Sequence, residues 1–115
     1  MAYLIDSDVF TDYLSGNANA IAWVESLIPA GLSISSVTYM ETFQGALRSS
    51  DPMASQVRHA ESLANTPVLP FTEETALRCA YLRHVLWRQG SRVRSRALDL
   101  MIAATAIEHG LTLVT

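Results

Sequence analysis

The residues of this 115-residue chain best suited to chemistry are acids at three separated places: Asp6, Glu41 and Asp99. Asp6 closes the apolar run Tyr3-Leu4-Ile5. Glu41 lies between Met40 and Phe43 with Val37 a turn away, and Asp99 is flanked by Ala97-Leu98 and Leu100-Met101-Ile102. Carboxylates in apolar settings need partners. The chain contains no Lys, and the only Arg three or four positions from Asp99 is Arg96. Two carboxylates about 4 Å apart repel by roughly 4 kcal/mol at an effective dielectric near 20, so acids gathered in one place take up either protons or a cation. Hard divalent ions select carboxylates and water, and the economical reading of the three acids together is an all-oxygen site for Mg²⁺, with Mn²⁺ as the alternative. Each acid also has a purely structural use: Asp6 or Asp8 as a helix cap, Asp99 as a complement to a helix dipole, Glu41 as a solvated helix residue.

The elements that must position these acids follow from periodicity and punctuation. Tyr3-Leu4-Ile5 reads as a buried strand, with Ser7 or Asp8 capping a helix through Leu14 that Ser15-Gly16-Asn17 stops. A second helix spans Ala18 to Leu27 and breaks at Pro29-Ala30-Gly31; Leu32 to Ser35 is the next strand. Ser36 caps a helix carrying Val37, Met40, Phe43, Ala46 and Leu47, and a further helix covers Met53 to Asn65. Pro67 to Pro70 is a clipped strand, Thr72 opens a long helix to Trp87 or Arg88, Arg96 to Glu108 is an apolar helix, and Leu111 to Val114 is a last strand. Strands alternating with helices predict an α/β, three-layer domain with a parallel sheet of about four strands and right-handed crossovers. In such a sheet ligands bind along the edge where the strands end, and this topology brings Asp6, Glu41 and Asp99 to one edge.

Composition removes other classes. Half of the residues are apolar and 17% charged, which excludes a disordered or low-complexity polymer. The lack of Lys excludes Schiff-base, P-loop and acyl-phosphate chemistry. A single Cys79 forms no intramolecular disulfide and matches no metal-binding spacing. No basic leader and no stretch of about 20 apolar residues is present, so a soluble, cytoplasmic protein without a membrane segment is expected.

Three blocks carry a family resemblance. Tyr3-Leu4-Ile5-Asp6-Ser7-Asp8-Val9-Phe10-Thr11-Asp12 resembles the opening of PIN-domain proteins: a hydrophobic strand, an Asp, a small hydroxyl residue, then Asn or Asp. Ser35-Ser36-Val37-Thr38-Tyr39-Met40-Glu41-Thr42-Phe43-Gln44-Gly45-Ala46 is similar to the second block of that family. Asp99-Leu100-Met101-Ile102-Ala103-Ala104-Thr105-Ala106, with Gly110-Leu111-Thr112-Leu113-Val114-Thr115, is similar to the third. The likeness is to VapC-type toxins in particular and runs from end to end as a single domain, residues 1–115. The family pattern usually continues past Thr115 with an Asn, a further Asp and a final strand, so truncation at the C-terminal end is expected.

The resemblance implies a metal-dependent endoribonuclease, the toxin of a toxin-antitoxin pair. In it Asp6 and Asp99 hold Mg²⁺ or Mn²⁺, Glu41 holds it directly or through water, and an activated water attacks the RNA phosphodiester. It also implies a homodimer and a small VapB-like antitoxin, whose helix or extended segment the apolar faces around Phe10, Tyr13, Ile21 and Trp23 would receive. The alternative is a catalytically silent PIN-like binding module. Asp6-Ser7-Asp8 also fits the first motif of haloacid-dehalogenase-like phosphatases, but Phe10 and the lack of Lys depart from it.

RNA requires local positive charge in a chain of net charge -3, and the charge is uneven. Residues 1–60 carry a net -4 and residues 61–115 a net +1. Arg92-Val93-Arg94-Ser95-Arg96 lies just before Asp99 and is the candidate phosphate contact, since the guanidinium fork matches phosphate; the alternative is a solvated loop that keeps the protein soluble. His59, His84 and His109 show no ligand spacing and are given no role. Cys79, Trp23, Trp87 and the Met and Phe residues at helical spacing are expected in the core.

Overall fold

A computed structural model describes residues 2–115. Strands β1 (Tyr3–Ile5), β2 (Leu32–Ser35), β3 (Val68–Leu69) and β4 (Thr112–Val114) form one parallel sheet in the order β3-β2-β1-β4. Helices α1 (Ser7–Leu14) and α2 (Ala18–Leu27) join β1 to β2. Helices α3 (Ser36–Leu47) and α4 (Pro52–Ser62) join β2 to β3, and α5 (Glu73–Arg88) and α6 (Ala97–His109) join β3 to β4. The α/β, four-stranded parallel architecture expected from the sequence is therefore observed.

Strand order explains where a site forms. The chain winds outward from β1 to β2 to β3, then crosses back to place β4 against the other side of β1. Winding reverses at β1, and the carboxyl end of the strand at such a reversal opens a crevice between diverging connections. Asp6 is the residue immediately after β1.

Alternation along the strands fills both faces of the sheet. Ile5, Ile34 and Val114 pack with Val9, Phe10 and Val24 of α1 and α2. Leu4, one residue from Ile5, packs on the opposite face with Val37, Ile102 and Ala106. A third cluster, Cys79, Leu100 and Ala104, joins α5 to α6. Full burial of a side chain such as Phe10 contributes about 1.5–3 kcal/mol.

Several expectations shift. Helix α1 is capped by Asp6, one of the acids offered for that use, rather than by Ser7 or Asp8, and α3 by Ser35 rather than Ser36, because the last strand residue or its successor is itself extended and turns straight into the helix. Helix α4 stops at Ser62 rather than Asn65; turns follow, in keeping with Pro67, which disfavours helical geometry just before it. Cys79 is in the core as expected, but Trp23 and Trp87 are 46% and 65% exposed, and Met40 and Met53 are exposed too. Helix α5 packs through Cys79, Leu82 and Leu86, which leaves Leu77, Tyr81, Val85 and Trp87 outward. Phe10 belongs to the core and is not available to a groove.

Candidate active site

Asp6 is placed by two local effects. It ends β1 through its N–H, which donates to the Val114 carbonyl at 3.0 Å, and it caps α1, its Oδ1 accepting the Val9 N–H at 3.0 Å. The carboxylate is thus fixed at the sheet edge rather than free to rotate. Burial raises its pKa above the ordinary value, and the neighbouring charges of Asp8 and Asp99 raise it further, against the lowering effect of the Val9 bond.

Asp99 stands in the first turn of α6, where a negative charge complements the helix dipole. It is exposed, so its apolar sequence neighbours do not enclose it; Leu98 beside it is exposed as well. Asp6, Asp8, Arg96 and Asp99 line one cleft of about 360 Å³, together with Thr115. Glu41 and Asp99 line a neighbouring cleft of about 320 Å³, with Arg94, Ser95 and Arg96. The structure therefore brings Asp6 and Asp99 into one cleft and Glu41 and Asp99 into the other, and it adds Asp8 to the first.

Glu41 is held by Ser7, which the sequence offered only as a helix cap and as part of the first block. The Ser7 hydroxyl, 34 positions away, donates to Glu41 Oε1 at 2.5 Å and lies 3.2 Å from Thr38 Oγ1. Thr38 is fully buried and also accepts from Ser35 Oγ at 3.3 Å. Ser7, one residue after Asp6, ties the start of α1 to the second acid.

His59 is a second residue whose part the sequence did not show. It is 2% exposed, with Nε2 2.9 Å from Thr42 Oγ1 and edge contacts to Phe10, Tyr39 and Phe43. The Thr42 hydroxyl donates to the Thr38 carbonyl at 2.7 Å, so Nε2–H donates to Thr42. Burial pushes the imidazole pKa down, favouring the neutral ring. This pair clamps α4 to α3 one residue beyond Glu41. The Thr-x-x-x-Thr spacing of Thr38 and Thr42 on α3 was its only sequence signal.

The donor chemistry, carboxylates with a serine hydroxyl behind one of them, suits a hard divalent cation. The raised pKa of Asp6, due first to burial and then to Asp8 and Asp99, marks a carboxylate whose ionised form a cation would favour. Yet among the described residues no three acidic, imidazole or thiol groups form a closed cage. Ser7 draws Glu41 to one side while capping holds Asp6 on the other. A divalent ion held here would take much of its coordination from solvent or substrate.

Residues 3–115 match the PIN domain family. The chain is 30% identical to toxin FitB of Neisseria gonorrhoeae, covering 97% of this chain and 85% of the relative. It is 34% identical to ribonuclease VapC5 of Mycobacterium tuberculosis, over 99% of this chain and 82% of the relative. The crystal structure of DNA-bound VapBC from Salmonella typhimurium superimposes with a TM-score of 0.89 at 26% identity, covering 100% of this chain and 86% of that one. Among the described residues no helix is long and apolar enough to cross a membrane.

Proposed function

The chain belongs to the PIN domain family, and we propose that it is a metal-dependent endoribonuclease, the toxin of a toxin-antitoxin pair, that hydrolyses RNA at this acidic edge. The observation that carries the reading is the convergence of Asp6 and Asp99, from the two ends of the chain, in one cleft where the sheet reverses. Asp6, Asp99 and Glu41 are the residues to hold Mg²⁺ or Mn²⁺. The ion supplies activation of water and neutralisation of phosphate charge. Asp6 keeps a fixed geometry through its cap, and Ser7 occupies one Glu41 oxygen so that the carboxylate keeps one orientation. The partner is a VapB-like antitoxin, and exposed Tyr39, Met40 and Leu47 on α3 with Leu77, Tyr81 and Trp87 on α5 offer apolar area for it and for a homodimer.

A catalytically silent PIN-like binding module is the second reading, and the lack of a closed three-group cage among the described residues favours it. Cleavage of single-stranded RNA with and without Mg²⁺ separates the two. Asp99→Asn and Glu41→Gln are expected to lower the metal-dependent rate by at least about a hundredfold, since each removes a carboxylate that would hold the ion. Cleavage that persists in both variants at unchanged metal concentration rejects the assignment of these acids.

A further inference from the structure

Arg96 and Asp99 are the two residues common to both clefts, one bordered by Asp6 and Asp8 and the other by Glu41. Arg96 is exposed and, among the described residues, pairs with no carboxylate within 4.0 Å, although four acids border the two spaces it joins. It stands at the N-cap position of α6, where a guanidinium, having no acceptor, cannot cap the helix. Arg94 borders only the Glu41 cleft, and Arg92 borders neither of the two.

These facts bear on a charge problem. A phosphodiester approaching Asp6, Asp8, Glu41 and Asp99 meets four carboxylates, and one divalent ion offsets only half of their charge. A fixed cation is needed where the two clefts meet. A guanidinium suits that task because it stays charged and presents paired donors to two oxygens of one phosphate.

Resting on the ribonuclease reading above, we propose that Arg96 is the residue that grips the phosphate at the bond to be cleaved. Its charge has a second consequence: it repels a divalent ion in the same edge. Arg96 therefore weakens cation affinity while strengthening hold on the substrate. A residue with a merely structural role does not move these two quantities in opposite directions.

The experiment compares the full chain with Arg96→Gln, Arg96→Lys and, as a control, Arg78→Gln, whose side chain pairs with Glu74 on α5. Mn²⁺ alone is titrated by calorimetry, and kcat and KM are measured on a single-stranded oligoribonucleotide. R96Q is expected to bind Mn²⁺ about two- to fivefold tighter, as loss of one nearby screened charge implies, and to lose about tenfold or more in kcat/KM. R96K is expected to keep the parent's Mn²⁺ affinity and recover only part of kcat/KM, because an ammonium does not span two oxygens. R78Q matches the parent in both. An active parent whose kcat/KM is unchanged by R96Q, or an R96Q that binds Mn²⁺ more weakly, overturns the role of Arg96 alone. A parent that neither binds Mn²⁺ nor cleaves RNA overturns the ribonuclease reading and this inference with it.

Discussion

Asp6 performs two duties that different substitutions separate. Its Oδ1 caps α1 by accepting the Val9 N–H at 3.0 Å, and its charge faces Asp8 and Asp99. Asn offers an oxygen in the same place, so D6N keeps the cap and removes the charge. Ala loses both, and loss of a cap costs about 1 kcal/mol, equivalent to about 4 °C in Tm for a chain of this size. The pH dependence has a definite sign. Unfolded Asp6 titrates near 3.8, and burial with the two neighbouring acids raises the folded value. Between those values the folded state holds more protons, so stability falls as pH rises through the window, and the penalty is complete above it. D6N is therefore expected to be more stable than the parent at pH 7.5, with the advantage vanishing below pH about 3.8, and D6A to lie about 1 kcal/mol below D6N throughout. Urea unfolding without divalent ions, from pH 3.5 to 7.5, measures all three. Adding Mn²⁺ at a hundred times its Kd should stabilise the parent by about 2.7 kcal/mol and D6N hardly at all. A D6N less stable than the parent at neutral pH, or equal stabilisation of both by Mn²⁺, refutes the picture of a cap residue whose charge awaits a cation.

Ser7→Ala removes the donor to Glu41 and is expected to slow cleavage about tenfold while changing stability by no more than about 1 kcal/mol; an unchanged rate in single-turnover assays would show that the bond does not position the acid. His59→Phe fills the same aromatic box. In the parent, stability should fall as pH drops below 6.5, because the unfolded chain binds a proton that the buried ring resists, at up to about 1.4 kcal/mol per pH unit. Unfolding curves at pH 7.5 and 5 should show that this loss is missing in H59F, and identical pH dependence in both proteins would contradict it.

The fold was legible because its punctuation is local. Pro29, Gly31, Pro67, Pro70 and Gly110 bracket apolar runs too short for helices, and alternation of strand and helix then restricts the topology. That Asp6, Glu41 and Asp99 come to one edge was legible for a related reason: in a parallel sheet the strand end after β1 and the N-terminal turns of α3 and α6 lie along the same edge. The surroundings of the acids were not. The bond from Ser7 to Glu41 spans 34 positions, and no local pattern encodes which hydroxyl meets which carboxylate. His59 looked like an ordinary helix residue, yet three aromatic rings from α1 and α3 enclose it. Trp87 looked like core, yet the layer beneath α5 is already filled by Cys79, Leu82 and Leu86. Which apolar side chain faces inward is decided by a neighbour distant in sequence.

One feature of the architecture lets an acidic chain accept a phosphate strand. Helices α1, α3 and α6 all begin at this edge, with Asp6 and Ser35 capping the first two and Asp99 in the first turn of the third. Each helix N-terminus carries about half a positive charge. Asp6 and Asp99 are therefore seated against the positive ends of the helices that present them, which makes the edge less negative than its acids alone suggest, while Glu41 lies farther along α3. The capping oxygen of Asp6 spends part of its charge on α1, whereas Asp99 makes no such bond among the described residues. On the proposed reading, Asp6 and Asp99 would therefore offer a cation different things: Asp6 a fixed direction, and exposed Asp99 a charge that can adjust to the substrate.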